Sequence, residues 1–120
     1  MTTMYLKGDS DVRPWGTWEV LESSDNYCVK KICVIPQGTL SLQLHHYRNE
    51  HWIIVEGEAV VTVGDSQMVK KADEAVYIPV NTKHRIANKT DRNMVFIEVQ
   101  SGENLDENDI VRFEDKYGRA

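Results

Sequence analysis

The sequence has no apolar run approaching the roughly 18 residues that would span a bilayer as a helix. Its polar start, MTTMYLKGDSD, lacks the apolar segment of a secretory signal. A soluble, cytoplasmic protein with no membrane partner is the expectation. Basic residues are also in short supply: 14 Lys and Arg stand against 19 Asp and Glu, a net charge of −5 with the signs interspersed. No basic face is left to track a phosphate backbone, so nucleic acid is not an expected partner. Cysteine is scarce, with only Cys28 and Cys33. Their odd spacing in one strand-like stretch turns them to opposite faces, where they cannot easily bond each other. Buried thiols are expected, because a thiolate metal site would need more cysteines or a closer spacing. Helical periodicity, internal repeats and low-complexity linkers are absent as well, and 120 residues form most simply one domain.

What is present is a succession of short β-type runs. Residues 27–35 are rich in β-branched and aromatic types and close on Pro36, Gln37 and Gly38. Residues 94–100 alternate, with Val95, Ile97 and Val99 on one face and Phe96, Glu98 and Gln100 on the other. Similar runs at 17–21, 39–45, 51–55, 59–63, 67–70, 75–78, 84–87 and 110–113 are separated by polar or glycine-bearing turns. Residues 1–14 form an N-terminal arm or edge strand, and residues 101–120 a charged C-terminal tail. About nine strands at this spacing predict an all-β antiparallel sandwich or barrel.

Candidate chemistry concentrates in residues 40–57, LSLQLHHYRNEHWIIVEG. Gln43, His45, His46, Glu50 and His51 crowd a short span that holds three of the four histidines. Imidazole, carboxylate and amide are ligand types for a borderline divalent metal. Strand parity sorts them. Gln43 and His45 share a face, opposite Leu40, Leu42 and Leu44, and Glu50 stands across the following turn, able to point at the same spot. His46 and His51 are turned away, and Trp52, with the parity of Glu50, either walls the pocket or packs in the core. The fourth ligand must come from elsewhere, and His84 is the one histidine outside the cluster.

Gly38, Gln43, His45, Glu50 and Gly57, with Pro79, Asn81, His84 and Asn88, resemble the two motifs of the cupin superfamily, whose fold is a double-stranded β-helix. Gln43 stands where most cupins have histidine, while Asn81 and Asp73 stand where glycines are usual. The segments RPWG, SLQLHHYRNEHWIIVEGEA, IPVNTKHRIAN and FIEVQSGENLDENDIVRFEDKYGR are similar to the isomerase domain of type II phosphomannose isomerases. Tyr47 departs from that pattern, which commonly has a third consecutive histidine.

The resemblance implies a metal-dependent isomerase interconverting mannose 6-phosphate and fructose 6-phosphate, as a detached version of that domain. The alternative is a non-catalytic phosphosugar-binding or accessory cupin that partners a separate guanylyltransferase. Gln43, His45, Glu50 and His84 would hold zinc, manganese or cobalt. Glu98, on the inward face of its strand, is either the base that carries the proton or a supporting carboxylate. Arginine suits phosphate through its planar fork. Arg48 and Arg85, each beside a ligand, are expected at the pocket mouth, and Arg13 could reach it; Lys30 and Lys83 are further candidates. Small cupins commonly bury their edges by pairing, so a homodimer is also expected.

Overall fold

A computed structural model of the chain describes residues 4–118. Eleven strands run in chain order: β1 (Ser10–Arg13), β2 (Gly16–Ser23), β3 (Tyr27–Val34), β4 (Leu42–Leu44), β5 (Asn49–Glu56), β6 (Glu58–Val63), β7 (Ser66–Lys71), β8 (Ala75–Ile78), β9 (His84–Ala87), β10 (Met94–Ser101) and β11 (Val111–Glu114). They form two sheets, one of six strands in the order β1-β2-β3-β10-β5-β8 and one of five in the order β11-β4-β9-β6-β7. The all-β expectation holds, with β1 adding an edge strand inside the N-terminal arm. No helix among the described residues is long and apolar enough to cross a membrane.

Alternation decides which side chains meet between the sheets. In β10, Met94, Phe96, Glu98 and Gln100 are buried while Val95, Ile97 and Val99 face the other way and are only half-buried. In β5, Glu50, Trp52 and Ile54 are buried and His51, Ile53 and Val55 are exposed. The core gathers Trp15, Ile32, Val34, Trp52, Ile54, Val61, Ile78, Ile86, Met94 and Phe96. Each fully buried aliphatic or aromatic side chain of this kind contributes about 1.5–3 kcal/mol. The same inward faces turn polar toward one end of the sandwich: Ile54 and Trp52 give way to Glu50, Phe96 to Glu98, and Ile86 to His84. One set of strands thus builds an apolar core and, continuous with it, a polar pocket.

Two expectations change in detail. The strand expected over residues 39–45 shrinks to Leu42–Leu44. Thr39 makes only an isolated bridge to Ala87, and His45 already lies beyond the ladder. Cys28 is buried and Cys33 half-buried, both as free thiols.

Turn chemistry accounts for the residues at glycine-type positions. Asp73 and Asn81 have positive φ, 74° and 58°, and Asp and Asn are among the non-glycine types that tolerate this left-handed conformation. Gly57, between β5 and β6, has φ 82°, and a Cβ there would lie 2.8 Å from the Asn93 carbonyl oxygen. Gly57→Ala is therefore expected to cost about 1–3 kcal/mol of stability. Urea denaturation reads it, and an unchanged midpoint at unchanged slope would refute the strain argument.

Candidate metal centre and anion pocket

His45, Glu50 and His84 place one ligand atom each within 4.8 Å of one another, all three side chains buried. They come from the residue just after β4, from β5 and from the start of β9. Backbone carbonyls fix both imidazoles: His45 Nδ1 lies 2.6 Å from the Asp109 oxygen and His84 Nδ1 2.9 Å from the Thr82 oxygen. With Nδ1–H donating in this way, each ring presents Nε2 as its free ligand atom. His45 Nε2 faces Glu50 Oε2 at 3.0 Å. Two electron-rich atoms at that distance call for a cation or a proton between them. The donor set therefore fits a divalent metal of the zinc, manganese or cobalt kind. Gln43 is the Cα partner of His84 in the β4–β9 ladder and lines the same cavity, with its Nε2 donating to Ser41 Oγ at 3.1 Å.

Arg48 is not at the pocket mouth, where the sequence put it. It is 6% exposed, its Nε donating to Glu50 Oε2 at 3.0 Å and its Nη2 lying 3.2 Å from His45 Nε2. The reason is electrostatic: Glu50 is forced inward by strand alternation and draws the nearest cation in with it. Arg48 Nη1 is buried with no hydrogen-bond partner among the described residues. Burial pushes Glu50 up, but the Arg48 guanidinium and His45 override this and hold its carboxyl well below the usual range. Burial pulls the His84 imidazole below its ordinary value, against the opposing charge of Glu50.

Glu98 adjoins this cluster on the Glu50 side. Its Oε1 accepts from Trp52 Nε1 at 3.2 Å and its Oε2 from Gln100 Nε2 at 2.9 Å. Trp52 Nε1 also donates to Glu50 Oε1 at 2.9 Å, so one indole spans the two carboxylates. Burial, followed by the charge of Glu50, pushes Glu98 up to about 7.

The remaining expected residues divide cleanly. Arg13, Lys30 and Arg85 all line the cavity, whereas the Lys83 ammonium lies 4.2 Å from the Phe113 ring centroid and does not. His46 and His51 are exposed, as parity required: His46 Nδ1 bonds Asn81 Oδ1 at 2.8 Å and His51 stacks on Tyr77. Two contributors escaped sequence reasoning. Asp109 anchors His45 through its carbonyl and accepts from the backbone N–H groups of His46 and Tyr47 through its carboxylate, at 2.8 and 2.9 Å. Arg112 lines the cavity from β11. Asp109 lies in the stretch read as a charged tail and Arg112 in the β-type run at 110–113, and no local pattern marks a contact so far along the chain.

The family model described as mannose-6-phosphate isomerase C-terminal matches residues 5–115. The chain belongs to this family. This isomerase-type domain is 49% identical over 108 residues to the xanthan biosynthesis protein XanB of Xanthomonas campestris pv. campestris, covering 90% of the chain and 23% of that protein. It is 43% identical over 108 residues to the mannose-1-phosphate guanylyltransferase of Escherichia coli K12, with the same two coverages, 90% and 23%. Its fold matches a double-stranded β-helix protein from Klebsiella pneumoniae at a TM-score of 0.71 and 17% identity, over 81% of this chain and 83% of that one. The cupin architecture is thereby shown.

The chain spans less than a quarter of the curated relatives it matches. That length corrects the functional expectation from sequence. The match is to one domain of long proteins, so neither a complete mannose 6-phosphate–fructose 6-phosphate isomerase nor an accessory partner of a separate guanylyltransferase follows from it.

Two outcomes test the site. His45→Ala removes a ligand and is expected to weaken retention of zinc or manganese at least about a hundredfold, read by titration and elemental analysis. Wild-type retention in the variant would show that the triad is not the metal centre. Glu98 carries a pH signature. Its folded pKa, about 7, lies above the ordinary 4.5, so its contribution is fully present below pH 4.5 and is lost as pH rises to 7. In metal-free protein this loss is of the order of 3 kcal/mol, and Glu98→Gln is expected to flatten it. The pH slope of the melting temperature is the readout, because the amide also turns an NH2 toward one of two donors. An unchanged slope would place the titration elsewhere.

Proposed function

We propose that this domain binds a phosphorylated sugar in the cavity between the sheets and moves a proton between neighbouring carbons of it, the chemistry of an isomerase-type domain. The charge of the lining carries this reading. Five cationic side chains, Arg13, Lys30, Arg48, Arg85 and Arg112, meet three carboxylates, Glu50, Glu98 and Glu107, although the whole chain has a net charge of −5. A cationic cavity in an acidic protein selects an anion. Its volume, about 130 Å³, exceeds the space of a single water several times over.

A metal held by His45, Glu50 and His84, with Gln43 as a neutral fourth donor, would polarise a sugar oxygen. The protein's own groups supply the rest. Glu98 is outside the three-residue ligand set but in contact with Glu50, fixed by Trp52 and Gln100, with a pKa of about 7 that suits a proton carrier near neutral pH. Lys30 is its Cα partner in the β3–β10 ladder and places an ammonium on the same lining. Trp15, Trp18 and Trp52 give the cavity apolar walls that exclude bulk water.

The family description makes mannose 6-phosphate the first ligand to test. Metal-loaded protein incubated with it in D2O is expected to place deuterium on a carbon of the sugar, read by mass spectrometry. Glu98→Gln should slow incorporation by about 10²–10⁴. No incorporation with zinc, manganese or cobalt would overturn the reading.

A further inference from the structure

Four of the five cations in the cavity lining are already engaged. Arg13 pairs with Asp11 and lies over the Trp18 ring. Arg48 is bound to Glu50. Arg85 donates to the Leu40 carbonyl at 3.0 Å and to the carboxylate and carbonyl of Glu114 at 3.3 and 3.1 Å. The Lys30 ammonium lies 3.5 Å from the Tyr5 ring centroid and 4.7 Å from that of Trp18. The Arg112 side chain alone makes no hydrogen bond, ion pair or ring contact among the described residues, although it faces the same cavity.

Resting on the reading of the cavity as a phosphosugar site, we infer that Arg112 seats the ligand's phosphate. Arg112 is the Cα partner of Gln43, and Gln43 is the Cα partner of His84. Directly opposed residues project from the same face of a sheet, so the three form a row running from the rim to the ligand cluster. Strands lie about 4.8 Å apart, which puts the Arg112 Cα about 10 Å from that of His84. A phosphate held there stays clear of Glu50 and Glu98, whose carboxylates would repel it, while the other end of the sugar reaches the triad.

The ladder is irregular between Arg112 and Glu114, and the two side chains do different work. Glu114 braces Arg85, which leaves Arg112 as the free planar fork, the geometry that grips a phosphate through two parallel hydrogen bonds. A sugar phosphorylated beside its reacting carbon would bring its dianion onto the carboxylates instead.

Calorimetry on zinc-loaded protein with mannose 6-phosphate, mannose 1-phosphate and mannose tests the assignment. Wild type is expected to bind mannose 6-phosphate at least tenfold more tightly than either of the others, and Arg112→Gln to erase that preference through a loss of about tenfold to a hundredfold. Arg112→Lys should restore part of it, and zinc retention should be the same in all three proteins. Arg112 is exposed on an edge strand, so the variants should fold, and circular dichroism checks it. If wild type prefers mannose 6-phosphate and Arg112→Gln keeps that preference, the phosphate seat is elsewhere and the phosphosugar reading stands. Preference for mannose 1-phosphate overturns the assignment to Arg112, because that phosphate sits beside the reacting carbons. If wild type binds neither phosphate better than mannose, the phosphosugar reading falls and this inference falls with it.

Discussion

The burial of Glu50 is the constraint on which the site depends. Its carboxylate is 1% exposed, carried inward by the alternation that buries Trp52 and Ile54 on the same strand. The register that builds the core therefore cannot form without taking this charge out of water, at a cost of several kcal/mol for an unpaired ion. Arg48 compensates Oε2 and the Trp52 indole compensates Oε1. Asp109 in turn orients His45, which draws the C-terminal loop against the turn between β4 and β5. One buried oxygen pair thus organises contacts from residues far apart in sequence.

The same burial separates two carboxylates by role. Glu50 and Glu98 share the Trp52 N–H, yet one is held well below the usual carboxylate range and the other is pushed up to about 7. Both lose solvation, and the difference lies in their partners. Glu50 has the guanidinium against it, while Glu98 has neutral N–H donors and feels the negative charge of Glu50. A permanently charged carboxylate suits a ligand, and one that titrates near neutrality suits a proton carrier. Reversing the roles would require moving Arg48.

Much of this was legible from strand parity. Period-two alternation separated His45 and Glu50 from His46 and His51, turned Glu98 inward and Val95, Ile97 and Val99 outward, and brought Trp52 beside the pocket. His84 could be chosen because it was the one histidine left over. Parity has no access to depth. Arg48 looked like a rim residue because a polar turn surrounds it, and only the demand of a buried carboxylate pulls it in. Parity also says nothing about pairing between distant segments. Asp109 and Arg112 reach the site because β11 pairs with β4, which no local pattern of either segment records. Asn81 and Asp73 show the opposite case, since their positive φ matches the glycine-type places at which the family pattern had put them.

The Arg48 guanidinium touches the very atoms, His45 Nε2 and Glu50 Oε2, that a metal would need. Two cations cannot share those lone pairs at full strength, so metal and guanidinium compete for them. The chain carries its own cation for Glu50, and the apolar cluster of Phe96, Ile54, Met94 and Ile86 forms the core alongside. A metal held by His45, Glu50 and His84 would loosen the hold of Glu50 on Arg48, a side chain that already lines the cavity. The loosened guanidinium, one of its donors unpartnered even in the paired state, would then be a further cation available to an anionic ligand.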